Sequence, residues 1–197
     1  MMPQEDAIRW NQRYTSQKYE RFNVPTTFLV DHHELIPEKS FVLDVATGMG
    51  RNAGYLIEHG HQVVGVDISY AGLSIAKHKL PALNAILADL VTYQFPSQCF
   101  DAILNFYYFQ KNLWLDFRRM LKPGGVIFVE TLTIEMKEIN PAYPDEFLLQ
   151  NGELLDIFKD WEILVYQEGW KKSDNGHLKS VASLIAKVKT NEGEDGV

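Results

Sequence analysis

The sequence predicts an α/β fold: one domain built on a Rossmann-like, doubly wound sheet of about seven mostly parallel strands, with an antiparallel C-terminal strand and helices on both faces. Three observations carry that expectation. Short β-branched runs alternate with helical patterns along most of the chain. The glycine-rich stretch Gly48-Met49-Gly50 follows the first apolar run directly. The last two apolar runs are joined by a short polar link, Glu168 to His177, which suits an antiparallel hairpin rather than another crossover.

The elements follow in order. Gln4 to Tyr14 reads as a helix, with Trp10 and Tyr14 one turn apart, and Thr27 to Ile36 reads as a second. Phe41 to Val45 is a strand buried on both faces. Asn52 to His59 is a helix closed by Gly60, at the position where a left-handed cap is common. Gln62 to Asp67 is the second strand, and Ser69 caps a helix running to about Lys79, before Pro81. Asn84 to Ala88 and Phe100 to Asn105 are the third and fourth strands. Gln110 to Leu121 suits a helix, stopped by Lys122-Pro123-Gly124-Gly125 ahead of a fifth strand, Val126 to Leu132. Glu146 to Phe158 reads as helical, and Trp161 to Gln167 and Leu178 to Lys189 form the final hairpin. Residues 1–40 are expected to make a helical cap on a core of residues 41–190, and residues 191–197 a disordered tail.

Composition narrows the function classes. A formal net charge of −7 argues against broad attraction to nucleic acid or anionic lipid, which depends on basic surface. Cys99 is the only cysteine, so no internal disulfide forms and a reducing, cytoplasmic setting is expected. The start of the chain carries early acids and no secretory pattern, and no apolar run approaches the ~20 residues that span a bilayer. A monomer or homodimer is expected. His32 and His33 diverge by about 100° on a helix and cannot easily share a metal. His59 and His61 flank a turn glycine and are expected to be solvated. With neither H-E-x-x-H nor C-x-x-C present, no metal site is expected.

The glycine loop admits two readings. Gly48 to Ala53 fits the G-x-G-x-x-G/A fingerprint of a dinucleotide-binding turn. The frame Asp44 to Gly50 equally fits a D-x-x-x-G-x-G loop. In both, glycines let the chain turn tightly and bring backbone close to a ligand at a helix N-terminus. Asp67, 19 residues beyond Gly48, can accept from both hydroxyls of a ribose in either case. Asp44 and Asp89 separate the two. A carboxylate just ahead of the glycines repels a pyrophosphate and suits a sulfonium or ammonium, and a second acid after the third strand can accept from an adenine amino group.

This set resembles the class I S-adenosylmethionine (SAM)-dependent methyltransferases, from Phe41 to about Glu130, with "LKPGG" and "VIFVE" matching the usual entry into the fifth strand. Ala46 stands where that family usually has its first glycine. The resemblance implies SAM as cofactor, with S-adenosylhomocysteine as product. It implies backbone contacts from Gly48 and Gly50 to the methionine part, ribose contacts from Asp67, packing by Ile68, and adenine contacts from Asp89 and the Leu90 backbone. Asn105 would sit under the sulfonium and amino group. "WNQRY" (Trp10 to Tyr14), Arg51-Asn52 after the glycines, and "FLLQNGELLDIF" are similar to elements of the tellurite-resistance-type and thiopurine-type small-molecule methyltransferases. The helix bearing Trp10 is expected to fold over the occupied site, with Arg13 or Arg51 reaching the cofactor's carboxylate.

Plainer roles stand beside these. Trp10 and Tyr14 can simply pack a helix onto the sheet, and Asp67 and Asp89 can cap turns. Phe106, Tyr107 and Tyr108, with Tyr14, are candidates for a substrate wall at the carboxyl edge of the sheet, where open α/β folds bind ligands, while Trp114 and Phe117 read as core. Asn105-Phe106-Tyr107-Tyr108 lacks both prolines of the [D/N]-P-P-Y element that acts on amide or base nitrogens. No catalytic base can be assigned. The expected acceptor is a small molecule with a soft nucleophile, a thiol, selenium or tellurium species. An NAD-dependent oxidoreductase and a SAM-binding protein without catalysis remain the alternatives.

Overall fold

A computed structural model describes residues 3–16, 24–172 and 176–190. Its described elements are α1 (Pro3–Thr15), α2 (Thr27–Asp31), a 3-10 turn (His33–Leu35), β1 (Phe41–Val45), α3 (Arg51–Glu58), β2 (Gln62–Asp67), α4 (Tyr70–Lys79), β3 (Asn84–Leu87), β4 (Phe100–Phe106), α5 (Lys111–Met120), β5 (Leu121–Leu132), 3-10 turns at Ile134–Glu138 and Asp145–Phe147, α6 (Glu153–Ile157), β6 (Glu162–Lys172) and β7 (Leu178–Lys187). One seven-stranded sheet has the order β3-β2-β1-β4-β5-β7-β6. Neighbours from β3 to β5 run parallel, and β7 runs antiparallel to both β5 and β6. This is the doubly wound sheet with a reversed strand that the sequence predicts. Among the described residues, no helix is long and apolar enough to cross a membrane.

The alternation of each strand builds two core layers. On one face Leu43, Val45, Ile103 and Val129 meet Trp114 and Phe117 of α5 and Phe158 and Trp161 beyond α6. On the other, Val42, Leu104 and Phe128 meet Phe28 and Leu29 of α2, Ala53 and Leu56 of α3, and Ala76 of α4. Burial on both faces is why β1 and β2 read as continuous apolar runs. The parallel order places the carboxyl ends of β1, β2 and β4 side by side, and the strand order reverses at β1/β4.

Four local expectations are corrected. The helix expected over residues 146–158 is broken: Leu149 bridges Thr133 as an added piece of sheet, and Gly152 adopts φ +75° before α6. Pairing with the sheet edge overrides helix propensity there. Thr27 to Ile36 divides at His32 (φ −130°) into a short helix and a 3-10 turn. β5 begins at Leu121, and the Lys-Pro-Gly-Gly stretch is taken up by a register shift between Phe100 and Ala102. His61 is buried, because its Nδ1 accepts the Ser40 backbone N–H and its Nε2 meets Nε2 of His33 at 3.0 Å. The expected disordered tail lies outside the described residues.

Candidate cofactor site

The site begins where β1 ends. Asp44 is 2% exposed, and its Oδ2 accepts from the Thr47 hydroxyl at 2.5 Å. Burial raises its pKa to about 6, against the opposing pull of the Thr47 hydrogen bond and the Arg51 charge. The chain then turns through three left-handed residues, Ala46 (φ +52°), Gly48 (φ +56°) and Gly50 (φ +77°). Glycine takes that conformation at no steric cost; Ala46 bears a strained φ at the position where the resembling family has glycine.

Asp67, at the end of β2, holds this turn in place. Its Oδ2 accepts the Gly48 N–H and its Oδ1 the Ser69 N–H, each at 2.8 Å. Burial raises its pKa even so. Ile68 follows, half-buried. After β3, the Asp89 Oδ1 accepts the Val91 N–H, and Leu90 turns into the core. Tyr108 lies beside these acids. Its phenol is pushed up to about 12, first by burial and then by the carboxylates of Asp89, Asp6 and Asp67. Its hydroxyl donates to Gln110 Oε1.

Asn105, next to last in β4, is fully buried, and among the described residues neither its Oδ1 nor its Nδ2 has a hydrogen-bond partner. A buried amide left this way is costly and rare in native proteins. The orphaned amide, the buried carboxylate Asp44, and the acids Asp67 and Asp89 line the carboxyl edge at the topological switch point. This set, mostly acceptors, fits a ligand with a cationic end, a diol and an amino-bearing base. It does not fit a pyrophosphate, which Asp44 would repel.

α1 packs along α4 above this edge. Asn11 Oδ1 accepts from the Ser69 hydroxyl (2.8 Å) and the Ala71 N–H (2.9 Å), capping α4 from outside. The Tyr14 ring closes over the glycine loop, so close that a Cβ on Gly48 would lie 2.5 Å from its hydroxyl. Trp10 stacks on Tyr14, and the Arg13 guanidinium lies 5.0 Å from the Trp10 ring centre. Arg51 lies 5.9 Å from the Tyr107 ring and reaches the Val24 carbonyl.

Two candidates are engaged elsewhere. Asn52 is buried with its Oδ1 accepting the Thr26 N–H, and Phe106 packs in the core with Phe28 and Phe128, leaving Tyr107 and Tyr108 at the edge. Beyond Tyr108, a groove of about 350 Å³ is lined by Phe109, Gln110, Lys111, Leu148 and Glu153. Sequence reasoning missed Thr47, Asn11 and a buried group around Glu130. Glu130 Oε1 accepts from Tyr107, and its Oε2 accepts from Lys171 and Ser183.

Residues 42–125 match the family model described as a methyltransferase domain, and that match implies SAM as the cofactor. A demethylmenaquinone methyltransferase of Tropheryma whipplei is 29% identical over 143 residues, covering 65% of this chain and 60% of the relative. The chain thus spans about three-fifths of that relative's length. TehB from Haemophilus influenzae superposes with a TM-score of 0.67 at 20% identity, over 93% of this chain and 67% of TehB. A structure described for the conversion of a disulfide bond into a thioacetal group in echinomycin biosynthesis superposes with a TM-score of 0.74 at 17% identity, over 98% and 93%. These superpositions establish the fold as the Rossmann-like methyltransferase fold.

Proposed function

We propose that the chain is a SAM-dependent methyltransferase acting on a small molecule at a soft nucleophile, a thiol or a selenium or tellurium species. The observation that carries this reading is Asn105: a fully buried amide without a hydrogen-bond partner among the described residues, at the carboxyl edge where β1 carries the buried carboxylate Asp44. A ligand bound at this edge would supply polar partners for the amide and a cationic group for the carboxylate. The domain match over residues 42–125 and the methyltransferase named above support the methyl-transfer part of this reading.

When bound, SAM supplies a methyl group on a cationic sulfonium, already activated for in-line displacement. The chain's own part is positioning and exclusion of water. Asp44 and Asn105 would face the cationic end, Gly48 and Gly50 the methionine backbone, Asp67 the ribose and Asp89 the adenine, with Ile68 and Leu90 packing beside them. Tyr14 and Trp10 would cover the ligand, with Arg13 or Arg51 reaching its carboxylate. Tyr107 and Tyr108 would border the acceptor, whose small size fits an edge walled by aromatic side chains. The structure described for disulfide-to-thioacetal conversion shares the fold, and its sulfur chemistry agrees with a soft acceptor.

Calorimetry with S-adenosylhomocysteine and with NAD tests the cofactor. Binding of the former and not the latter is expected, and tight NAD binding would return the oxidoreductase reading. A panel following S-adenosylhomocysteine release tests the acceptor. Turnover on thiols or chalcogen compounds is expected. Turnover confined to phenols, amines, quinones or nucleic acid would refute the soft-nucleophile assignment, and binding without turnover on any class would leave a non-catalytic SAM protein.

A further inference from the structure

The amino edge of the sheet, opposite the candidate cofactor site, carries a histidine pair that methyl transfer does not use. His61 stands immediately before β2 and is 6% exposed, Ser40 stands immediately before β1, and His33 opens the 3-10 turn that follows α2. The Ser40 backbone N–H donates to His61 Nδ1 at 3.2 Å, and the Nε2 atoms of His61 and His33 lie 3.0 Å apart.

These contacts fix where the protons are. A backbone N–H only donates, so His61 Nδ1 is a lone pair and the His61 proton sits on Nε2. That Nε2–H donates to His33 Nε2, which leaves the His33 proton on Nδ1. Both rings are then neutral, and neither can gain a proton in place. An added proton on His33 Nε2 meets the His61 Nε2–H, and one on His61 Nδ1 meets the Ser40 N–H. A metal ion between the two Nε2 atoms meets the same obstacle, because it would move the His61 proton onto Nδ1. The surroundings act in the same direction. The His59 ring, just beyond α3, lies 4.6 Å from the His33 ring, centre to centre, and the Tyr55 ring of α3 lies 5.4 Å from it. A charge on His59 opposes one on His33, while Glu34 in the same turn pulls the other way. Burial, and then the neighbouring imidazoles, hold both His33 and His61 below the ordinary histidine range.

We propose that His33 and His61 form an acid-sensitive latch: closed only while both are neutral, it holds residues 33–40 against the amino edge of the sheet, and a proton taken up by either ring opens it. The sign follows from where protons bind. Opening returns both imidazoles toward the ordinary value of 6.5, so the open segment binds protons that the closed one does not. The closed state is fully favoured above that pH and loses ground as pH falls below it. A histidine that titrates only when open makes opening about 10-fold more frequent at pH 5.5 than at pH 7.5, and two together about 100-fold. Opening stays local, because Phe28 and Leu29 of α2 are buried in the core with Phe128 and the Thr26 N–H is held by Asn52 Oδ1.

Amide hydrogen exchange on the full chain, followed by NMR and divided by the intrinsic rate at each pH, reads the latch directly. The Ile36 N–H, bonded to the His33 carbonyl, and the Ser40 N–H should lose protection about 100-fold between pH 7.5 and pH 5.5, while the Thr26 N–H keeps its protection. His33→Gln retains an acceptor for the His61 proton but does not titrate, and should reduce the loss to about 10-fold. Combining it with His61→Asn, whose side-chain oxygen can still accept from Ser40, should abolish the loss. An equal loss at Thr26 would mean global acid unfolding and overturns the latch. So does protection at Ser40 that is independent of pH, or an undiminished response in the double variant. If the double variant does not fold, His33→Gln decides alone: a response unchanged from the wild type overturns the proposal.

Discussion

Replacing Asp44 by Asn should stabilise the protein while weakening its cofactor site. The carboxylate is buried at the end of β1 with its pKa raised to about 6, whereas an unfolded chain leaves it near the ordinary value of 3.8. Each tenfold change in proton affinity corresponds to about 1.4 kcal/mol, so keeping Asp44 ionised at pH 7.5 costs the folded state on the order of 2–3 kcal/mol. Between about pH 4 and 6 the folded protein binds the proton that the unfolded chain releases. The stability contributed by protonated Asp44 is thus present at low pH and lost as pH rises through about 6. Asparagine keeps the size and the acceptor for the Thr47 hydroxyl without the charge. At pH 7.5, Asp44→Asn should raise Tm by roughly 5–10 °C for a chain of this length, and the gain should shrink toward pH 4.5. Calorimetry should show the reverse for the ligand: S-adenosylhomocysteine, with its cationic amino group, should bind on the order of 10–100-fold more weakly. In the wild type that affinity should rise with pH through about 6. A Tm gain independent of pH, a fall in Tm at pH 7.5, or undiminished affinity would show that Asp44 is a structural residue.

Three further outcomes test the same edge. Asn105→Leu removes the orphaned amide and should stabilise the unliganded protein by about 1–3 kcal/mol in thermal unfolding, while S-adenosylhomocysteine affinity falls; destabilisation would mean that the amide is satisfied by ordered water. Ala46→Gly relieves a left-handed alanine and should raise stability by about 0.5–1 kcal/mol, glycine's extra freedom in the unfolded chain offsetting part of the gain. Deleting residues 1–16 removes Tyr14 from the glycine loop and Asn11 from the start of α4, and should weaken cofactor binding at least tenfold without unfolding the core; normal affinity would leave α1 as packing only.

The opening half of the sheet was legible because its signals are local. β1 and β2 are continuous apolar runs closed by an acid, and both match the expected limits, Phe41 to Val45 and Gln62 to Asp67. Ser69 caps α4 by accepting the Gly72 N–H, as a serine before a helical run does. The acids that end β1 and β2, with Asp89 just beyond β3, could be singled out because each stands where a strand stops. Expectation failed where the sheet reached out to claim a segment. Residues 146–158 carry ordinary helix propensity, but Leu149 pairs with Thr133 and the helix contracts to a turn and a half after Gly152.

The Glu130 group marks the other limit, and it is a matter of distance along the chain rather than of weak patterning. In "VIFVE" the glutamate reads as the last residue of a strand, and nothing nearby gives it a partner. Lys171 and Ser183 lie 41 and 53 residues further on, and reach it only because β7 inserts antiparallel between β5 and β6, with Glu130 opposite Ser183. A one-residue slip in that register would turn Ser183 to the opposite face and leave the carboxylate without one of its donors. His33 and His61, 28 residues apart, meet for the same kind of reason, across the entry to the sheet. The Glu130 group exists only as a product of topology: a strand-end glutamate, a tyrosine held at a positive φ, and two donors delivered by the reversed hairpin.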